Sequence, residues 1–151
     1  SYYLPRIYSE NQTTFTRINP SQYAIKILGI TTATKLIFNQ PYNDLWKLFP
    51  FFAGSELHFL FEKPVFEKTH SQVYQYANEW TIDPAYVKSN FDKSTYEINP
   101  DGSLNVSLTI FYYPQASFYP GLAVTLITLL FCLSYLGIDH FRNKSDSDNE
   151  A

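Results

Sequence analysis

The chain has no methionine and a single cysteine, Cys132. One thiol can form neither an intrachain disulfide nor a cysteine-based zinc cluster. Charge is also scarce. Asp, Glu, Lys and Arg make up 17% of the 151 residues, against about 25% in an average soluble domain. The 11 basic and 14 acidic residues leave a formal charge of −3. No basic excess exists to neutralise phosphates, so nucleic acid is not an expected partner. No G-x-G-x-x-G, P-loop, G-x-S-x-G or H-E-x-x-H pattern occurs. His58 and His70 have no cysteine near them and lack zinc-site spacing. Glu62, Glu67, Glu79 and Asp83 are scattered among Lys63, Lys68 and Lys88 and read as solvated surface charge. The inventory therefore yields no catalytic residue, no metal ligand and no cofactor site.

Aromatic residues are abundant: 13 Tyr and 13 Phe carry most of the 19% aromatic content. The length fits one domain of about 100–150 residues with something small attached. The 45% hydrophobic content is unevenly spread. Phe118 to Ile138 reads FYPGLAVTLITLLFCLSYLGI, without a charge. As a helix at about 1.5 Å per residue it covers roughly 30 Å, the hydrocarbon thickness of a bilayer. Thr125, Thr128 and Ser134 can bond back to their own helix. Pro120 and Gly121 suit a first turn. Tyr112, Tyr113, Phe118 and Tyr119 gather at its start as an interfacial aromatic belt would. Cys132 lies inside this run and His140 just after it, where a helix C-terminus favours positive charge. The other apolar stretch, Tyr23 to Phe38, contains Lys26, Lys35 and several β-branched residues, which suits strands better than a span. The expected layout is a β-rich extramembrane domain over 1–117, one transmembrane helix over 118–138, and a short acidic, disordered tail over 139–151.

Basic residues near the span set its orientation. The last one before it is Lys93, whereas Arg142 and Lys144 follow it closely. They act as the inner-side charge anchor and place the N-terminal domain on the translocated side. The missing Met has two readings, a cleaved signal or transit peptide, or a trimmed initiator ahead of Ser1, and these predict opposite topologies. Asn11-Gln-Thr and Asn105-Val-Ser are possible glycosylation sites; Asn143-Lys-Ser also fits the pattern but lies behind the span. The absence of cysteine from the N-terminal domain suits a mitochondrial intermembrane-space location as well as a lumenal one. An endoplasmic-reticulum or later secretory membrane is the favoured home, with the mitochondrial inner membrane as the alternative.

Within the domain, Leu104, Val106, Leu108, Ile110 and Tyr112 alternate with Ser103, Asn105, Ser107, Thr109 and Phe111. Period 2 predicts a strand with one buried and one wet face. Asn99-Pro-Asp-Gly before it predicts a hairpin turn to a strand over 94–98. Further strands are expected over 13–18, 23–30, 34–39, 56–61 and 73–82, the last with a short helix as alternative. The fold class is mainly β, an antiparallel sandwich, with an α+β arrangement if 42–52 is a helix.

The segment Asn43–Phe52, NDLWKLFPFF, is expected to be a loop or short helix packed on the sandwich. The sharper reading makes Trp46, Phe49, Phe51 and Phe52 an anchor for a partner or the bilayer, because Trp and Phe carry interface energy. An aromatic-rich, charge-poor domain tied to one helix points to an accessory subunit whose partners are other membrane-protein subunits and the lipid bilayer. Gly121, Thr125 and Thr128 share one helix face that permits close packing. The alternative is a membrane-tethered sandwich that binds a ligand, cargo protein or glycan. The layout resembles type I accessory subunits of secretory-pathway membranes and small supernumerary subunits of respiratory complexes. It is a resemblance of architecture and assigns no residue a role.

Overall fold

The computed structural model describes residues 6–149, with side chains through Ile138. The described residues form two antiparallel sheets facing each other and one long C-terminal helix. The first sheet has the order β1 (Ile7–Ser9), β4 (Thr34–Phe38), β7 (Ala77–Ile82), β6 (Ser71–Val73). The second has the order β2 (Gln12–Asn19), β3 (Gln22–Ile30), β9 (Leu104–Tyr112), β5 (Trp46–Pro50), with β8 (Tyr96–Ile98) also paired to β9. Helix α1 (Pro84–Asn90) connects β7 to β8, and helix α2 (Pro114–Asn149) follows β9 directly.

The principal core lies between the sheets. Ile25, Ile27, Leu104, Val106, Leu108 and Ile110 meet Leu36, Phe38, Trp80 and Ile82, and α1 closes one end with Val87. The alternation in β9 thus delivers its expected buried face. Lys26 and Lys35 point outward from β3 and β4 to Glu97 at 3.6 Å and Glu79 at 3.0 Å. That is how this stretch carries two lysines through an apolar run.

Several elements depart from expectation. The segment read as a strand over 56–61 is a 3-10 turn, Glu56–Leu60, with Ser55 Oγ accepting from Leu57 N at 3.3 Å. The loop or short helix expected over 43–52 is strand β5, because Trp46–Pro50 finds a full antiparallel partner in the second half of β9. The 73–82 stretch divides into a β6–β7 hairpin, its turn carrying positive φ at Tyr74 and Gln75. Helix α1 was unexpected, although Asp83 caps Ala85 N at 2.9 Å and Pro84 opens the first turn.

Helix α2 starts at Pro114, one turn before the expected span, and Pro114–Ile138 is long and apolar enough to cross a membrane. The backbone remains helical to Asn149, where a disordered tail was expected from residue 139. Extending a formed helix needs no new nucleus, so polar residues can follow an apolar run without a break. The charge anchor Arg142 and Lys144 lies outside the described side chains.

Candidate functional site

The junction between β9 and α2 concentrates most of the aromatic residues singled out in the sequence. The face of β9 expected to be wet is wet only in its first half. Asn105 and Ser107 are half-buried, whereas Thr109 and Phe111 are fully buried. What covers them is the 3-10 turn. After Pro50 the chain leaves β5, folds back over the outer side of the sheet, and lays Phe59 on Phe111, with ring centroids 4.5 Å apart. Phe49 packs on Phe59 at 4.8 Å, and Ala116 from the first turn of α2 completes the group, with Leu60 and Tyr113 at its edge. This second, smaller core fastens the helix to the sandwich. Tyr113 N donates to Leu45 O at 3.0 Å and Ala116 N to Tyr113 O at 3.1 Å, so no free linker separates sheet from helix.

A second aromatic group lies on the inner side of the same end. Trp46 meets Phe38 at 4.9 Å, Tyr112 at 5.0 Å and Tyr23 at 6.2 Å. Burial pushes the Tyr23 hydroxyl pKa up, and the nearby Arg17 charge partly offsets this. The proposed anchor set is therefore divided. Trp46 is half-buried and is paired in register with the belt residue Tyr112. Phe49 is 0% exposed, so it is core and not available to a partner. This corrects the expectation for that residue: as a strand, β5 sends it to the covered face. Phe51 is exposed and Phe52 half-buried, the latter stacked on His58 at 3.7 Å. Phe51 N donates to Ser107 O, which puts Phe51 well up the sheet from the helix, while the Phe52 ring lies against the 3-10 turn. Pro50 pairs with Leu108 and Trp46 with Tyr112, a separation of about 13 Å at roughly 3.3 Å per residue. On α2, Phe118 and Tyr119 of the belt are exposed, while Tyr112 and Tyr113 are half-buried in the junction.

Both sequon asparagines converge on Gly29. This glycine has φ +70° at a bulge where β3 slips register against β9, a conformation glycine adopts without a Cβ penalty. Asn11 Nδ2 donates to Gly29 O at 3.0 Å, and Gly29 N donates to Asn105 Oδ1 at 3.0 Å. Asn105 and Asn99 exchange hydrogen bonds at 3.1 Å in both directions. A sugar replaces one Nδ2 hydrogen and leaves the other, so these bonds restrict the direction in which a glycan can leave. Sequence reasoning identified the two residues through the triplet but missed their shared backbone partner.

The remaining polar chemistry is dispersed. His70 stacks on Trp80 with centroids 4.4 Å apart, and burial lowers its pKa. Hydrogen bonds from Ser103 N and Oγ hold the Asp101 carboxyl below its usual value, within the turn that joins β8 and β9. Glu67 pairs with Lys47 at 2.8 Å. Among the described residues no group of three or more His, Cys, Asp or Glu side chains is placed to hold a metal ion. A cavity of about 610 Å³ lies between Phe66, Tyr86, Pro64 and Thr81. Phe66 has φ 57° there, a left-handed conformation that is strained for an aromatic residue.

No family model matches the chain, and neither does any curated protein or solved structure.

Proposed function

We propose that the chain is a non-catalytic, single-pass accessory subunit of a multi-subunit membrane complex. It holds a rigid β-sandwich against the membrane surface. The observation that carries this reading is the linker-free junction. A tethered module that works alone gains reach from a flexible linker, whereas here Phe49, Phe59, Phe111 and Ala116 lock the helix to the sheet. Such a joint fixes the pose of the domain relative to neighbours in the bilayer. Two further features support it. Thr125 and Thr128 hydroxyls donate to Gly121 O and Val124 O, leaving a narrow polar-satisfied strip on the helix that suits close packing against another helix. At the junction, Glu56 Oε1 accepts from Asn19 Nδ2 at 2.6 Å, which ties the 3-10 turn to the β2–β3 end of the sandwich and stiffens the joint.

We place the protein in a secretory-pathway membrane, with the mitochondrial inner membrane as the alternative. The two sequons and the translocated domain inferred from Arg142 and Lys144 support the first. A ligand-, cargo- or glycan-binding module is the second functional reading, and the cavity at Phe66 and Tyr86 favours it. Purification of the natural protein in mild detergent, followed by intact mass measurement, tests both points. Stoichiometric membrane-protein partners are expected. A monodisperse monomer overturns the subunit reading and leaves the module. A glycan mass on Asn11 or Asn105 is expected for a secretory home; an unmodified mass favours the mitochondrial alternative.

A further inference from the structure

The strand register identifies which loops lie level with the base of α2. Gln22 pairs with Phe111, and Tyr112 N donates to Ser21 O at 2.8 Å, which puts the β2–β3 turn at this level. Tyr113 N bonds to Leu45 O, which places the loop before β5 there too. The 3-10 turn joins the same end through the Asn19–Glu56 hydrogen bond and the packing of Phe59 and Leu60 against Ala116. These three segments surround the helix root, and each presents an exposed aliphatic side chain: Ile18 at 51%, Leu45 at 38% and Leu57 at 40%. Beside Leu45, a slot of about 280 Å³ opens between Pro20, Pro41, Tyr42, Trp46 and Tyr112.

The distances decide what this end meets. The stretch read from the sequence as the span begins at Phe118, five positions after Tyr113. That is about 7.5 Å of helix at roughly 1.5 Å per residue. A bilayer of about 40–45 Å with a hydrocarbon core of about 30 Å has a headgroup layer of roughly 5–8 Å on each side. With Phe118 at the hydrocarbon boundary, Tyr113, Leu45 and Ser21 fall within the headgroup layer. The junction has no linker that would lift the domain clear. The side chains at this level are aliphatic and aromatic, with Asp44 and Glu56 as nearby carboxylates and Arg17 and Lys47 as nearby basic groups, Lys47 being engaged by Glu67 at 2.8 Å. Aromatic rings with one polar end favour this depth, and the small basic content gives anionic lipid little to attract.

We infer that the base of the sandwich is itself a lipid-contacting surface. Ile18, Leu45 and Leu57 sit in the headgroup layer of the bilayer that α2 enters, and the slot beside Trp46 faces phospholipid headgroups. The occupant is the lipid surface, recognised by apolar insertion and not by charge. This inference rests on α2 being a span, and its test separates the two.

The experiment uses the full chain, purified and reconstituted alone in phosphatidylcholine nanodiscs. A spin label on the native Cys132 reports whether α2 lies in lipid. In a Cys132→Ala background, labels at Leu45→Cys, Leu57→Cys and, at the opposite end of the domain, Asp101→Cys report collision rates with oxygen and with a water-soluble nickel chelate. All three positions are exposed, and circular dichroism checks that each variant is folded; Ile18→Cys replaces any that is not. The Cys132 label is expected in the oxygen-rich, nickel-poor core. The Leu45 and Leu57 labels are expected to lose nickel accessibility relative to Asp101, by the same factor when phosphatidylserine is added to the disc. Leu45 and Leu57 labels as open to nickel as Asp101, with Cys132 in lipid, overturn the surface contact and leave the span intact. Shielding that appears only with phosphatidylserine overturns the apolar mode. A Cys132 label in water overturns the span and the inference with it.

Discussion

His70 sits where pH can reach the sandwich. Its ring lies flat against Trp80, and its Nε2 is 3.1 Å from Asn78 Oδ1. Asn78 in turn accepts from Asn43 N and donates to Gln40 O, so it holds the loop that leads into β5. Burial is the largest influence on His70 and lowers its pKa from 6.5; the Asn78 bond, Glu67 and Asp44 oppose the shift, and Lys47 adds to it. A lowered folded pKa means that the unfolded chain takes up the proton first. Stability from this residue is complete above pH 6.5 and is lost as pH falls from there toward the folded value. The melting temperature is expected to fall between about pH 7.5 and about pH 5.5, and His70→Gln is expected to flatten part of that slope. A slope unchanged by the substitution refutes the assignment. At the same scale, Gly29 illustrates a limit of sequence reading. Its role comes from two asparagines distant in sequence, Asn11 and Asn105, and no local pattern connects them.

The decisive element is the 3-10 turn Glu56–Leu60. The alternation of Leu57, Phe59 and Phe61 with His58, Leu60 and Glu62 imitated a strand, but of these only Phe59 is buried. Phe59 makes the turn a cover for the outer face of β9 and the brace of α2. Phe59→Ala is expected to cost about 3–5 kcal/mol, the range for emptying a fully packed aromatic site. Urea denaturation of the full chain measures this, and faster protease cleavage between residues 52 and 64 should accompany it. A cost under about 1 kcal/mol shows that the turn is a passive flap. The long elements were legible because their patterns are internal: β9 repeats every two residues, and α2 carries an apolar, charge-free stretch over Phe118–Ile138. Strand β5 was not, because Trp46–Pro50 has no alternation of its own; the core between the sheets takes Leu48 on one face and the turn buries Phe49 on the other. A strand covered on both faces reads as a plain apolar run. Helix α1 was legible in retrospect through Asp83-Pro84, a cap followed by a first-turn proline.

For the whole molecule, the consequence of the junction is a domain whose orientation is set by its helix. Inserting a short Gly-Ser segment between Tyr113 and Pro114 separates the Ala116 contact from the sheet. The native chain, labelled at Asp101→Cys and at Cys132, is expected to give a narrow inter-label distance distribution by pulsed electron resonance. The insertion is expected to broaden it while the strand signal in circular dichroism persists. An equally broad distribution in the native chain shows that the joint is already loose, and removes the main support for the subunit reading.

Composition and local period suffice for the β-rich domain, an apolar helix long enough to span, the β8–β9 turn and the reading of residues 23–38 as strands, since each depends on neighbours a few positions away. Tertiary structure alone decided which aromatic residues are surface and which are core. Phe49, Phe51 and Phe52 are adjacent and chemically alike. One became the floor of the second core, one remained exposed, and one stacked on His58. The difference arises because strand register and the returning 3-10 turn allocate burial, and both are chosen by the total apolar area that distant segments remove from water together.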